Sequence, residues 1–576
     1  MNFKQNLHWP IYILFLLSCA KQSSPTGGPK DTIPPILVKA LPPNEAINFK
    51  GKTLELTFSE MIALNNPKEQ LIITPSVGKD FELKARRNSV IIELENSLQD
   101  STTYTFNFRD AVQDITEKNS VRRLQLAVST GTYIDSLSIE GTVYDLVRGK
   151  ESKETTVAIY PRNDTFNILK HPAMFFTKSD DKGRFKIDHL KPDVYYIYAI
   201  DDKNRNLIID SRTESYAFLK DSINLQTDTS KISLGLVHQD TRPLKITSAR
   251  PYNTYFNIKT TKNLKDFSIK TVDSASLEYS FGEDRSNIKF YNTFGKIDSV
   301  GLQIIASDSI ENKIDTVIYA KFLTTESTPE KFEAGLKSSS IIADKGLFKA
   351  SFKFTKPLTQ INFDSIFFQV DSATKINFDS ADISLEKIHN TLMLSKTLER
   401  KMFIIPAIEN PPTTPPGPPS KPKEAVPTET KRKAPSPKKI SNEFYIGKAA
   451  FISIDGDSSK KFTQTITPLK VEDLSVIIYD VKTPHKDIIV QLVDKALIVL
   501  KENFDKPKGE IHDLTAGEYM LRVIIDTNNN NKWDPGNYFL KQEPERIYYY
   551  KGEKGVSSIT LKSNWELVLS PMLITP

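Results

Sequence analysis

One cysteine, Cys19, occurs in 576 residues. A chain with a single thiol forms no internal disulfide, so each domain must be held by its own apolar core. Histidine is scarce too. The seven (His8, His171, His189, His238, His389, His485, His512) are scattered, and no His-x-x-His or His-Glu-x-x-His spacing occurs, so no zinc site is legible. A Gly-rich phosphate loop and a Gly-x-Ser-x-Gly elbow are both missing. These absences leave no legible catalytic set, and the chain is expected not to be an enzyme. An excess of charge of one sign is lacking as well. The 77 basic and 71 acidic residues leave a net charge of +6, which gives no case for a nucleic-acid face. Beyond the first 18 residues no stretch is long and apolar enough to span a bilayer.

What is present is the composition of folded globular protein, 39% apolar and 26% charged. The length points to three to five domains. Phenylalanine (32) and tyrosine (21) are plentiful, and short alternating runs recur between turn clusters. Leu54-Glu55-Leu56-Thr57-Phe58, Val90 to Leu94 and Thr103 to Phe108 read as strands facing alternately in and out. The expected fold class is all-β: tandem β-sandwich domains with a Pro-rich disordered insertion.

The N-terminus has a basic start (Lys4), a short apolar run (Trp9 to Leu17) and then Leu16-Leu17-Ser18-Cys19. The apolar run is about half of what a spanning helix needs, and the arrangement is that of a secretory signal. Leu-Leu-Ser-Cys resembles the lipobox of bacterial lipoproteins. The resemblance implies cleavage before Cys19 and acylation of that cysteine, which would tie a water-soluble body to a membrane by lipid. Residues 1–18 are then the signal peptide. Residues 19–35, with Pro25, Gly27, Gly28, Pro29, Pro34 and Pro35, form a tether.

Residues 36–134 carry Leu41-Pro42-Pro43-Asn44, Thr57-Phe58-Ser59-Glu60, Ile73-Thr74-Pro75, Thr102-Thr103-Tyr104 and Ser129-Thr130-Gly131. Together with the tether these resemble the bacterial Ig-like domain first described in S-layer proteins. They resemble in particular Bacteroidota lipoproteins that carry this domain at the N-terminus. The resemblance places Glu60 just after an edge strand, and nothing nearby in sequence supplies it with a partner acid or base. Residues 137–236 are similar to the small transthyretin-like or carboxypeptidase-regulatory-like sandwich. Residues 240–330 read as a further Ig-like sandwich. Residues 331–465 read as another, because Phe352 to Pro357 resembles Leu56 to Glu60. Its insertion, 410–439, holds ten of the 34 prolines and a basic set of Lys421, Lys423, Lys431, Arg432, Lys433, Lys438 and Lys439. Residues 466–576 close the chain as a second transthyretin-like sandwich. Ile187, Leu190, Tyr195 and Asp202 match Ile511, Leu514, Tyr519 and Asp526 at one constant offset, the mark of an internal repeat.

Each repeat has an Asx-rich loop: Asp202, Asn204, Asn206 and Asp210 in the first, Asp526, Asn528, Asn530 and Asp534 in the second. Oxygen side chains at positions 1, 3, 5 and 9 of a loop are what Ca²⁺ asks for. The loops lack the central Gly and the terminal Glu of an EF-hand. The other reading is a hairpin whose side chains cap their own backbone. Both readings stay open on the sequence.

Asp-Ser/Thr followed by a small or aliphatic residue recurs across the domains. The candidates are Ser101, Ser136, Ser222, Ser274, Ser299, Ser309, Thr316, Ser365, Ser372 and Ser380. The pattern resembles the O-glycosylation sequon of Bacteroidota exported proteins. It is equally what ends a turn before a β-branched strand start.

The expected function is a lipid-anchored scaffold or adaptor of the outer membrane, on its periplasmic face or at the cell surface. It would work by protein–protein contact. By resemblance it would be an accessory subunit of an outer-membrane assembly or secretion machine, with an outer-membrane β-barrel or another envelope protein as partner. The final module, with Trp565 and Tyr548 to Tyr550, is where an interface is expected. The alternative is a surface glycan-binding lipoprotein, which calls for exposed aromatics gathered on one sandwich face.

Overall fold

The computed structural model describes residues 30–575 apart from 122, 163–166, 253, 273–276, 294–298, 323–329, 372–373, 400–441 and 553–554. Cys19, the Pro-rich insertion, Ser274 and Ser372 lie outside the described residues. The described chain is almost all β, as the alternation in the sequence implies. It builds five sandwiches, D1 to D5, each around a core of its own.

D1 faces a four-stranded sheet (Leu37–Leu41, Thr53–Phe58, Ser89–Leu94, Phe81–Arg86, in that spatial order) against a three-stranded one (Ile72–Thr74, Thr103–Asn107, Gln125–Ser129). Leu54, Leu56 and Phe58 point inward and the alternate residues outward, as the spacing demands. Two readings need correction. Thr53–Phe58 is an inner strand of its sheet, so Glu60 does not follow an edge. Thr103 to Phe106 is buried on both faces rather than one, because Thr105 abuts the next domain: its hydroxyl lies 3.1 Å from His189 Nδ1.

D3 packs Ile246–Tyr252, Tyr255–Thr260, Asn287–Tyr291 and Glu278–Phe281 against Asp266–Thr271, Ser299–Ser307 and Lys313–Lys321. D4 is assembled from both sides of the insertion. Strand Ile366–Gln369 pairs with Glu443–Ile446, and Leu358–Ile361 with Phe451–Ser453. The described strands before and after the insertion thus belong to one domain. D1 and D4 share an entry motif. Ser59 Oγ accepts from Ile36 N, and Thr355 Oγ1 accepts from Glu333 N, each at 3.0 Å. The residue after that hydroxyl is Glu60 in D1 but a buried Lys356 in D4, held by Asp455 at 2.8 Å and Asp457 at 2.5 Å. D4 also runs further than expected: Phe462–Thr465 belongs to its sheet and Ile466 to its core, while D5 begins at strand Ser475–Lys482.

D2 and D5 have one topology. In D2, strand Leu137–Asp145 pairs antiparallel with Arg184–Leu190 and parallel with Thr229–Leu236. In D5, Ser475–Lys482 pairs antiparallel with Lys508–Leu514 and parallel with Glu566–Val568. The opposing sheets run Phe175–Lys178, Thr156–Pro161, Asp193–Ile200, Tyr216–Phe218 and Val499–Phe504, Ile488–Val493, Gly517–Ile525, Ile547–Tyr549. The repeat read from four matched positions therefore extends through the whole sandwich.

Candidate functional site

The Asx loops leave the ends of two equivalent strands, Asp193–Ile200 and Gly517–Ile525. In the first, Asp202 accepts from the backbone of Asn206 and Leu207, each at 3.1 Å. Asn204 accepts from Asn206 N, Asn206 from Ile208 N, and Asp210 from Arg212 N. Glu214, fully buried, ties the loop shut by accepting from Lys203 N at 3.0 Å and Asp210 N at 2.9 Å. In the second, Asp526 accepts from Asn530 N and Asn531 N at 3.1 and 2.8 Å. Glu545 accepts from Thr527 N, Thr527 Oγ1 and Asp534 N. Sequence reasoning did not give Glu214, weighed only as a helper to the first loop's oxygens, or Glu545 this closing role. The signal was there: each stands two residues before a strand, Tyr216–Phe218 and Ile547–Tyr549.

Burial raises the Glu545 carboxyl above the usual range, helped by the Asp534 charge and opposed by the Asp534 and Thr527 donors. The loop carboxylates are directed at amide N–H groups. In the second loop Asp534 Oδ2 accepts from the side-chain amides of Asn528 and Asn530, at 2.6 and 2.7 Å. Donors face that carboxylate in this arrangement, which is that of a self-capped turn. Among the described residues no group of three or more His, Cys, Asp or Glu is placed to hold a metal ion.

What the second loop does instead is reach outward. It is seven residues longer between its first Asp and its Glu. The extra length carries Tyr538 onto the outer sheet face of D2, where its ring lies 5.7 to 6.4 Å from those of Phe218, Tyr216 and Tyr198. Gln239, 3% exposed, donates to Pro535 O and Gly536 O and accepts from Tyr538 N. Asn537 donates to Ile310 O of D3 at 2.8 Å. One loop of D5 thus clasps both D2 and D3. Gly536 sits at φ +75° with Gln542 O 2.5 Å from where a Cβ would be, so this turn requires glycine.

A second contact lies beside the clasp. Ile489, Ile524, Ile547 and Tyr549 of D5 pack on Leu146 of D2, and the Tyr549 hydroxyl donates to Val147 O. Gly149 lies directly under the Tyr549 ring. The tyrosine cluster is therefore used within the chain: Tyr549 faces D2 and Tyr550 faces the D5 core, because adjacent strand residues point to opposite faces. Trp565 is 42% exposed.

The remaining candidates are placed as follows. Ser101, Ser136, Ser299, Ser309 and Ser380 are exposed, and Ser222 and Ser365 half-buried. Thr316 pairs with Ile304 on the inner face of its strand. Asp308, Asp371 and Asp379 each cap a local turn, at 2.8 to 2.9 Å from an amide. Glu60 is surrounded by carboxylates: burial and the charges of Asp114, Asp31 and Glu117 raise its titration point. The exposed aromatics, Tyr133, Tyr252, Tyr319, Phe462, Phe504, Phe539 and Trp565, are spread over several domains.

Residues 31–132 match the family model of the bacterial Ig-like domain. That range is D1 with its entry segment. No curated protein matches the chain. Among solved structures, an L,D-transpeptidase from Mycobacterium smegmatis is 10% identical over 29% of this chain and 76% of that one, with a TM-score of 0.13. Dimeric latent PorU from Porphyromonas gingivalis is 8% identical over 55% of this chain and 35% of that one, TM-score 0.20. Domains 1–6 of the surface layer protein SbsC are 10% identical over 92% and 68%, TM-score 0.13. At these scores the likeness carries no argument about activity or partners.

Proposed function

We propose that this chain is a lipid-anchored scaffold or adaptor of the cell envelope, attached through Cys19 and acting by protein–protein contact rather than by catalysis. The finer assignment is an accessory subunit of an outer-membrane assembly or secretion machine, contacting an outer-membrane β-barrel or another envelope protein. The observation that supports a contact role is the wiring between sandwiches. D1 is tied to D2 by Thr74 and Ser76, D3 to D4 by Asn390 on Ser280, D4 to D5 by Lys345 on Asp513, and D5 back to D2 and D3 by the clasp. Domains fixed at several points present their surfaces at set positions, which is what an adaptor needs. The anchor rests on the lipobox resemblance. The same reading expects O-glycans on exposed Ser101, Ser136, Ser299, Ser309 and Ser380, and none on Thr316.

The test is a mild-detergent purification from native membranes through a C-terminal tag, beside a Cys19→Ala control. Stoichiometric recovery of an outer-membrane protein, reduced in the control, is the expected result. Recovery of the bait alone from both chains would sink the reading.

A further inference from the structure

D2 and D5 share a topology, but their outer strands meet different fates. Phe175–Lys178 and Val499–Phe504 are the end strands of equivalent sheets. Register aligns them. Val157 pairs with Thr177 and Ala199, and Val490 pairs with Asn503 and Val523, so Phe176 corresponds to Glu502. In D2 the free edge seats the Ig-like D1: Thr74 Oγ1 donates to Phe176 O at 3.0 Å and Ser76 N donates to Met174 O at 2.6 Å. In D5, among the described residues, the edge pairs with its inner neighbour Ile488–Val493 alone. Around it Ile498, Leu500 and Phe504 are 60%, 43% and 40% exposed. An open edge flanked by exposed apolar side chains is a template for another strand.

We infer that the outer edge of Val499–Phe504 docks an Ig-like sandwich of a different protein, in the way that Phe175–Lys178 docks D1. The inference rests on the adaptor reading and names the contact surface that reading lacks. A second copy of the chain is disfavoured on two counts. Its own D1 is already seated on its own D2. Edge-to-edge self-pairing, in the two registers that overlap most of the strand, sets Lys501 against Lys501 or Glu502 against Glu502, and like charges directly opposite repel. The partner edge instead offers hydroxyl or amide donors, as Thr74 and Ser76 do, and a basic side chain facing Glu502.

The test uses the full chain in its native membranes with a photo-crosslinking phenylalanine at position 500, and at exposed Glu510 on the opposite sheet as control. An adduct specific to position 500, mapped to an edge strand of an Ig-like domain in another protein, is expected. A Leu500→Lys/Phe504→Lys chain should recover that protein about tenfold less, and Glu502→Lys, one exposed charge reversed, should also lower recovery. Equal recovery by the wild-type and variant chains would overturn the inference and leave the adaptor reading standing. Concentration-dependent dimerisation of the wild type, lost in the double variant, would assign the edge to a second copy and overturn it as well. No partner for either chain would remove the adaptor reading and this inference together.

Discussion

D2 and D5 are one fold used twice, and the seven-residue difference in one loop separates their roles. In D2 the loop stays short: Asp202 and Glu214 absorb nearby amides, and its outward contact is the Arg205 side chain paired with Glu69 of D1. In D5 the same start, Asp526, and the same closing carboxylate, Glu545, bracket a longer span that leaves the domain and grips two others. A scaffold of capped amides common to the two repeats thus fixes both ends of the loop, and the length between them decides whether it touches one neighbour or grips two. The comparison can be broken from either end.

The largest effect is expected from removing the closing carboxylates. Glu214→Ala and Glu545→Ala each strand about three partly buried donors, at a cost of about 2 kcal/mol per site. The two differ in reach. Glu214→Ala should lower the stability of D2 and leave D5 docked. Glu545→Ala should also free the clasp, because the Asp534 N that closes the long loop bonds to the Glu545 carboxylate, whereas the Trp533 bond to the Glu545 carbonyl survives the substitution. Urea unfolding followed by hydrogen exchange of peptides from each domain checks this: a shifted transition in D2 alone for Glu214→Ala, loss of D2–D5 coupling for Glu545→Ala. Identical profiles would mean that the loops are equivalent after all.

Next comes the clasp itself. Tyr538→Ala deletes the ring seated among Tyr198, Tyr216 and Phe218, a loss of about 2 kcal/mol of coupling with little change within D5. Small-angle scattering should show a larger radius of gyration, and protease should cut near Pro535 sooner. An unchanged radius would place the hold on Tyr549 and Leu146 instead.

A smaller difference concerns pH. Burial puts the folded Glu545 titration point above its unfolded one. Between those two values the folded state holds more protons, so stability falls as pH rises and is flat above the folded value. Glu545→Gln should remove that slope across the window just above the usual glutamate range. Denaturant midpoints at several pH values decide it, and a slope that survives the substitution would assign the titration elsewhere.

Strand positions, the repeat offset and the joining of the strands on either side of the insertion into one domain were legible, because alternation and turn residues are local signals. Phe58 and Leu56 announce their face two residues at a time. The fold-back was not. Tyr549 and Val147 are 402 residues apart, and nothing in Tyr548-Tyr549-Tyr550 says that the middle ring faces another domain while the next faces the core. Thr105 misled for the same reason: a polar alternate position reads as solvent-facing until a neighbouring domain covers it. The Asx spacing was legible as a loop but ambiguous in purpose, since a carboxylate that would bind a cation and one that caps amides have the same sequence signature.

Calcium is therefore the subtlest probe of the comparison, and the smallest effect is expected from it. In both loops the first aspartate spends its oxygens on backbone amides, and in D5 the last one accepts from two asparagine amides. A cation would have to displace those donors and reverse the amide groups of Asn528 and Asn530. Thermal unfolding in excess Ca²⁺ and in chelator should then give the same midpoints for both sandwiches. A midpoint that rises for D5 alone, and falls back in Asp534→Asn, would show the longer loop rearranging around an ion. The clasp would in that case be set by calcium in the repeat that grips its neighbours, while the shorter loop of D2 stays a plain turn.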